Sequence, residues 1–258
     1  MMQDINAKFP DLEGKSVFIS GGGSGIGAYL TEGFIQQGAK VAFCQRSDAS
    51  DFCKTMEDKH NNRPLFLKCD VTDIPSLQSV LSEAAQQHGD IGVLINNAAW
   101  DNRHSLEGLS ADEWDNMMNV NIRHHFFAIQ SVAKGMQEAG GGSIINYSSI
   151  SYLMGNAGYP AYVSAKAGIT GLTRGLAREL GPDNIRVNAL LPGWVITERQ
   201  KELWVTDEAL AAHLERQCLK QAITPDAMVE PTLFLASDAS RMVTGQALVV
   251  DGGVVITG

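Results

Sequence analysis

Tyr162 and Lys166 stand four residues apart in GYPAYVSAKAG (158–168), so a helix there raises both side chains from one face. A phenol beside an ammonium suits proton transfer. Free tyrosine, with a pKa of about 10, is a poor base at neutral pH unless its phenolate is stabilised. A fixed cation one turn away, together with the positive charge of an oxidised cofactor, favours the phenolate and draws the pKa toward the working range. Ser149 lies thirteen residues earlier, just past an apolar run, where its hydroxyl could hold a substrate oxygen. Together the three predict a base for an alcohol's proton, with hydride chemistry left to a cofactor. A Tyr/Lys pair is also common on plain amphipathic faces, so the reading depends on the rest of the chain.

A second chemical feature opens the chain. The stretch ISGGGSGIGAYL carries Gly21, Gly25 and Gly27 with GxxxGxG spacing, between a strand-like run and a helical one. Gly21 permits a tight turn, Gly25 lets backbone approach a pyrophosphate, and Gly27 lets helix pack on strand. Ser24 and Ile26 lie inside the same turn, whose free N–H groups would face phosphates. Ala28 stands where a Walker-type site would need lysine, so that nucleotide site is excluded. After the second strand, where an acidic residue usually holds the ribose 2′-hydroxyl, the chain has Gln45 and Arg46. Gln45 can bond a hydroxyl without repelling a 2′-phosphate, and Arg46 could grip that phosphate. The pair predicts NAD(P) with NADP favoured over NAD. The alternative has Arg46 in solvent and Asp48 on the ribose.

These residues need elements to position them. Strand-like runs occur at 16–20, 40–44, 64–68, 92–96, 143–148, 185–191 and 247–251. Helical patterns occupy 25–38, 75–88, 111–138, 160–180 and 227–237. Strands fed through helices require parallel pairing with right-handed crossovers. The expected fold is α/β: a Rossmann-type doubly wound parallel sheet with helices on both faces, in one domain spanning 1–258. The stretch 198–225 interrupts the alternation with a polar amphipathic helix, either a substrate lid or a plain surface helix.

Composition excludes several classes. With 258 residues, 44% of them hydrophobic, and a formal net charge of -9, the chain suits a globular enzyme. The charge argues against nucleic acid and anionic membranes as partners. Cys44, Cys53, Cys69 and Cys218 lack metal-ligand spacing, and RHH at 123–125 is wrong for a helical metal pair, so no metal is expected. The default is buried reduced thiols. No leader or membrane-spanning run is legible, which makes the cytoplasm the expected location.

Taken in order, SGGGSGIG, CDV (69–71), NNAA (96–99), Ser149, YVSAK (162–166), PGWVIT (192–197) and DGG (251–253) resemble the short-chain dehydrogenases/reductases. The likeness spans nearly the whole chain. It implies that Asp70 contacts the adenine amino group and Val71 packs beside the ring. Asn97, Ala98 and Ala99 would line the cofactor ribose, although the family more often has Gly at the position of Ala99. Pro192, Gly193, Val195 and Thr197 would hold the nicotinamide end. Lys166 would bond the nicotinamide ribose, and Asn121 would anchor a water leading from Lys166. Ser20 keeps the hydroxyl of the commoner Thr.

NNAAWDNRHSL, NVNIRHHFF, GGGSIINYSSIS and PGWVITERQ look like the sugar 1-dehydrogenases that oxidise D-xylose, L-arabinose or D-galactose to lactones. The resemblance implies oxidation of an aldose at C1, with Ser149 and Tyr162 on the anomeric hydroxyl. Trp100, Ser151, Asn156, Tyr159 and Trp194 are candidates for the rest of the sugar, with Tyr152 in the same polar stretch. Members of that subgroup often carry Asp where this chain has Gln45, so their cofactor choice does not transfer. Reduction of 3-oxoacyl groups on a carrier protein is the rival activity, and a cofactor sensor without catalysis the rival class. The family likeness also implies a homotetramer, with helices 111–138 and 160–180 pairing and VVITG (254–258) near another interface.

Overall fold

The structure is a computed structural model, described over residues 5–256. Short runs rich in Val, Ile, Leu and Phe form seven strands: β1 (Ser16–Ser20), β2 (Lys40–Gln45), β3 (Leu65–Lys68), β4 (Val93–Asn96), β5 (Gly142–Tyr147), β6 (Ile185–Pro192) and β7 (Ala247–Val250). They make one sheet in the order β3-β2-β1-β4-β5-β6-β7, every pair parallel. The order reverses between β1 and β4, and the crevice there is where a doubly wound sheet binds ligands.

Alternation along the strands divides the core. Val17 and Ile19 point to one face with Phe34, Phe43, Val229 and Leu233, while Phe18 points to the other with Leu77, Leu94, Ile129 and Met136. The first face is covered by α1 (Gly25–Gln36), α2 (Ser50–His60) and, later in the chain, α9 (Val229–Ala236). The second is covered by α3 (Ile74–His88), α5 (His124–Glu138) and α6 (Pro160–Leu180), with α4 (Ala111–Met118) packed against α6. Helix starts follow local chemistry. The Asp73 carboxylate accepts from Ser76 N before α3, and Ser110 with Glu113 forms a capping box before α4.

Three elements depart from the sequence reading. Helix α2 was not foreseen: SDFCKTMEDKH buries only Cys53 and Met56, too thin a stripe to read as a helix. The expected helix 111–138 contains a π-helical turn at Asn119–Arg123, which separates α4 from α5. The 198–225 insertion is not one helix but two, α7 (Glu198–Leu203) and α8 (Asp207–Arg216), capped by Thr197 and Thr206. Cys44, Cys53 and Cys69 are buried and free, whereas Cys218 is free but exposed. No helix among the described residues is long and apolar enough to cross a membrane. Of the VVITG stretch, Thr257 and Gly258 lie outside the described residues.

Candidate active site

The glycine turn joins β1 to α1 at the sheet's reversal point. A Cβ on Gly27 would lie 1.8 Å from the Gly21 carbonyl oxygen, so helix and strand meet there with no room for a side chain. Gly25 sits at φ +53, and a Cβ on it would meet only Thr197 Cγ2, at 3.7 Å. Ser24 is the N-cap of α1 but makes no side-chain capping bond, which leaves the first-turn N–H groups facing that open space. Ile26 and Thr197 border it. The turn therefore fits a dinucleotide's pyrophosphate.

Several expected cofactor contacts brace this turn instead. Ser20 Oγ accepts from Asn97 N at 3.0 Å and Ala98 N at 3.1 Å. The Asn97 amide donates to the carbonyls of Ser20 (3.0 Å) and Gly21 (3.1 Å), so its side chain ties β4 to the turn rather than standing free for a ribose. Gln45 Oε1 accepts from Gly23 N at 3.0 Å, and its Nε2 donates to Ser47 O and Oγ at 3.2 Å. That amide is occupied too. Arg46 is exposed, its Nη1 3.9 Å from Asp70 Oδ2. Asp70 Oδ1 accepts from Thr72 N (2.9 Å) and Oγ1 (2.8 Å), and Val71 beside it is buried. Asp48 Oδ1 accepts from Ser50 Oγ at 2.8 Å at the start of α2.

Beyond β5 and on α6 the residues expected to transfer the proton converge. Ser149, Tyr162 and Lys166 border one cleft of about 530 Å³, along with Asn97, Ala99, Pro192, Gly193, Trp194, Val195 and Thr197. Lys166 Nζ donates to Tyr147 O at 2.8 Å and lies 5.5 Å from the Tyr162 ring centroid. Ser149 Oγ accepts from Ser151 N at 3.1 Å. In the protein without coenzyme, burial sets the electrostatics of this pair. Burial first, and then the nearby Asp101 carboxylate, push the Tyr162 phenol above its usual pKa, against the lowering effect of Ser149. Burial also lowers Lys166 to about 7, opposed by Asp101. In the protein alone, desolvation is the largest influence on both groups.

Asn121 does not border the cleft. Its Oδ1 accepts from Trp100 N (2.9 Å), and its Nδ2 donates to Trp100 O (3.0 Å) and Met117 O (2.9 Å). Both amide hydrogens are used, so only an oxygen of Asn121 is left to meet a water. It sits in the π turn, where the widened helix exposes the Met117 carbonyl to a side chain. Trp100 is held by its backbone and is absent from the cleft wall, contrary to its assignment as a sugar contact. Tyr152 also points elsewhere, its hydroxyl 3.0 Å from Thr170 Oγ1.

The other substrate candidates do border the cleft. Asn156 Nδ2 donates to the Tyr159 hydroxyl at 3.0 Å, and the buried Ser151 Oγ has no protein partner among the described residues. Trp194 Nε1 donates to Gln200 Oε1 at 2.9 Å, and Gln200 Nε2 donates to Asp101 Oδ2 at 3.1 Å. The Arg103 guanidinium lies 3.9 Å from the Tyr159 ring centroid and 5.1 Å from that of Trp204, while His213 meets Trp194 edge-on at 5.3 Å. Helices α7 and α8 therefore cover the cleft. Asp101, Arg103, Gln200, Trp204 and His213 were missed from sequence. WDNRHSL read as generally polar, with no period to say which side chain faces inward.

Known proteins bear on this geometry. A family profile described as enoyl-(acyl carrier protein) reductase matches residues 21–255. A protein of Rhizobium meliloti inferred to be a galactose dehydrogenase is 48% identical, over 96% of this chain and 98% of its own length. A D-xylose 1-dehydrogenase of Caulobacter vibrioides is 44% identical over the same shares. Among solved structures, a blue fluorescent protein from a metagenomic library, in complex with NADPH, superposes with a TM-score of 0.87. It is 30% identical, over 95% of this chain and 100% of that one. Full-length likeness at these identities, on a parallel sheet with the glycine turn at its switch point, places this chain in the short-chain dehydrogenase/reductase family of NAD(P)-dependent oxidoreductases.

Proposed function

We propose that this protein oxidises an aldose at C1 to the aldonolactone, transferring hydride to NAD(P). One observation carries the reading. Ser149, Tyr162 and Lys166 share a cleft with a carboxylate (Asp101), a guanidinium (Arg103), two indoles and an amide pair, groups suited to a polyhydroxylated ring. An acyl chain on a carrier protein would cover the open Asp101 oxygen and the Arg103 guanidinium without offering either a hydrogen bond.

When bound, the oxidised dinucleotide would supply the hydride acceptor and a positive charge. Tyr162 takes the proton of the C1 hydroxyl at its phenolate oxygen as the C1–H bond breaks and the carbonyl forms. Ser149 Oγ bonds the same substrate oxygen and orients it. Lys166, held by the Tyr147 carbonyl, adds a cation when protonated and so favours the phenolate. Asn121 acts through Trp100, fixing the loop that carries Ala99 and Asp101.

Arg46, exposed at the rim of the adenosine half with no acidic residue at position 45, supports NADP over NAD. Asp70, Val71, Asn97 and Ala98 bound that half, Asn97 through the turn it braces. Exposed Trp114 on α4 and Phe126 on α5, with open space over Gly171 and Gly175 on α6, support subunit pairing through these helices. The test is coenzyme reduction, followed by its absorbance, across a panel of aldoses. Aldose-dependent NADPH formation with lactone as product is expected. Silence on every aldose alongside NADPH-driven reduction of a 3-oxoacyl thioester would reject the sugar reading.

A further inference from the structure

The loop after β4 sets Asp101 between the proton-transfer pair and the lid, and the chemistry described above gives its charge no task. The orientation of its partner is fixed by donor logic. An indole N–H only donates, so Gln200 must turn Oε1 to Trp194 and Nε2 to Asp101. Asp101 Oδ2 is thereby pinned by the lid, while Oδ1 has no protein partner among the described residues. No ion pair neutralises the carboxylate among those residues: Arg103, two positions on, stacks on Tyr159 instead. The result is an acceptor-only group in the cleft wall, with one oxygen held and one open.

We propose that Asp101 is the specificity-determining residue of this site, its free oxygen accepting a hydrogen bond from the substrate hydroxyl next to the reacting carbon. This deepens the aldose reading and rests on it. A carboxylate stripped of water by an apolar alcohol is left unpaired and penalised, whereas a vicinal diol restores the lost bond. The lid contributes because Gln200 holds the carboxylate in place as α7 covers the substrate. The same charge acts on the proton-transfer pair, raising both Tyr162 and Lys166. Around Tyr162 the titratable groups are Asp101 and Arg103 from this loop, Tyr159 and Lys166 at and on α6, and His213 and Arg216 from α8. Of these, Asp101 is the carboxylate.

The test compares wild type, Asp101→Asn and Gln200→Ala on D-galactose and 2-deoxy-D-galactose, with pH profiles of kcat/KM. Asparagine keeps an oxygen for Gln200 and removes the charge, and the Michaelis constant for NADP checks that the coenzyme half is intact. Wild type should prefer the parent sugar by about ten- to a hundredfold, as a hydrogen bond to a charged group implies. In Asp101→Asn that ratio should shrink to about twofold, the coenzyme constant should hold, and both limbs of the pH profile should move to lower pH. Gln200→Ala should raise the sugar's KM while its pH profile stays in place. An unchanged sugar ratio in Asp101→Asn overturns the inference, as does a pH displacement in Gln200→Ala equal to that in Asp101→Asn. A wild type that oxidises neither sugar, nor any other aldose, removes the aldose reading itself, a separate and distinguishable failure.

Discussion

At the scale of single residues, burial pulls Tyr162 and Lys166 in opposite directions, while the Asp101 charge raises both. Desolvation raises Tyr162 and lowers Lys166 to about 7, so Lys166 is only part-protonated at neutral pH in the protein alone. In the mechanism proposed above, a positive charge brought by the coenzyme would supply what the phenolate lacks and so tie proton abstraction to coenzyme binding. Replacing Tyr162 by Phe keeps the ring and deletes the proton acceptor. Turnover should fall by about 10²–10⁴-fold, while the dissociation constant for NADP, read by fluorescence titration, stays within about twofold. Equal turnover in that variant would end its assignment as the base. Arg46 poses a different question, because it is exposed and only loosely paired with Asp70. Arg46→Ala should raise the Michaelis constant for NADP about tenfold and leave that for NAD nearly unchanged. An equal effect on both coenzymes would place the guanidinium away from any 2′-phosphate.

At the scale of elements, two joints hold the site together. Gly27 lets α1 start against β1: a Cβ there would meet the Gly21 carbonyl at 1.8 Å, a clash with backbone that no side-chain movement relieves. Gly27→Ala should therefore abolish coenzyme binding in calorimetry, and a variant that bound normally would show that the turn can open. The second joint is the π turn between α4 and α5. Asn121 there satisfies both backbone groups of Trp100 as well as the Met117 carbonyl. Its replacement by Ala leaves buried partners unpaired, at a cost of about 1–3 kcal/mol for each unsatisfied group. A lower unfolding midpoint is expected together with a reduced kcat, since the loop bearing Ala99 and Asp101 loses its tie. A full-length helix at 111–138 without the π turn could not present Asn121 in this way.

At the scale of the whole molecule, the helix-covered sheet imposes a pH limit. His124 and His125 are fully buried on α5, their rings 4.4 Å apart. Burial lowers His124 to about 4 and His125 further below the usual histidine range. His124 Nε2 lies 3.1 Å from Ala98 O, whereas the His125 nitrogens make no well-formed hydrogen bond among the described residues and have only the Asn146 side chain beside them. Below pH 6.5 the unfolded chain binds protons that the folded chain refuses. Stability is therefore present above that pH and is lost as it falls toward about 4. At about 1.4 kcal/mol per pH unit, His124 alone accounts for a loss on the order of 3 kcal/mol. The urea midpoint should drop steeply across that window. His125→Leu should flatten the drop without lowering the midpoint at neutral pH, because it buries no unpaired polar atom. A midpoint indifferent to pH in the wild type would show that the two rings reach water.

What the sequence determined by itself was whatever depends on near neighbours. Seven apolar runs became seven parallel strands within a residue or so of their expected limits, because strand burial is written in consecutive residues. The glycine turn was legible for the same reason, since Gly21, Gly25 and Gly27 serve one local bend. Helix α2 escaped notice because its apolar stripe is two residues wide. The tertiary structure alone decided which side of each polar loop faces the cleft. It turned Asp101 and Arg103 inward, kept Trp100 out, and engaged the Gln45 and Asn97 amides in the turn. It also decided the sign of the Tyr162 and Lys166 shifts. Proximity along a helix is a property of spacing, but desolvation comes from every segment packed around a group, and those segments are distant in the chain.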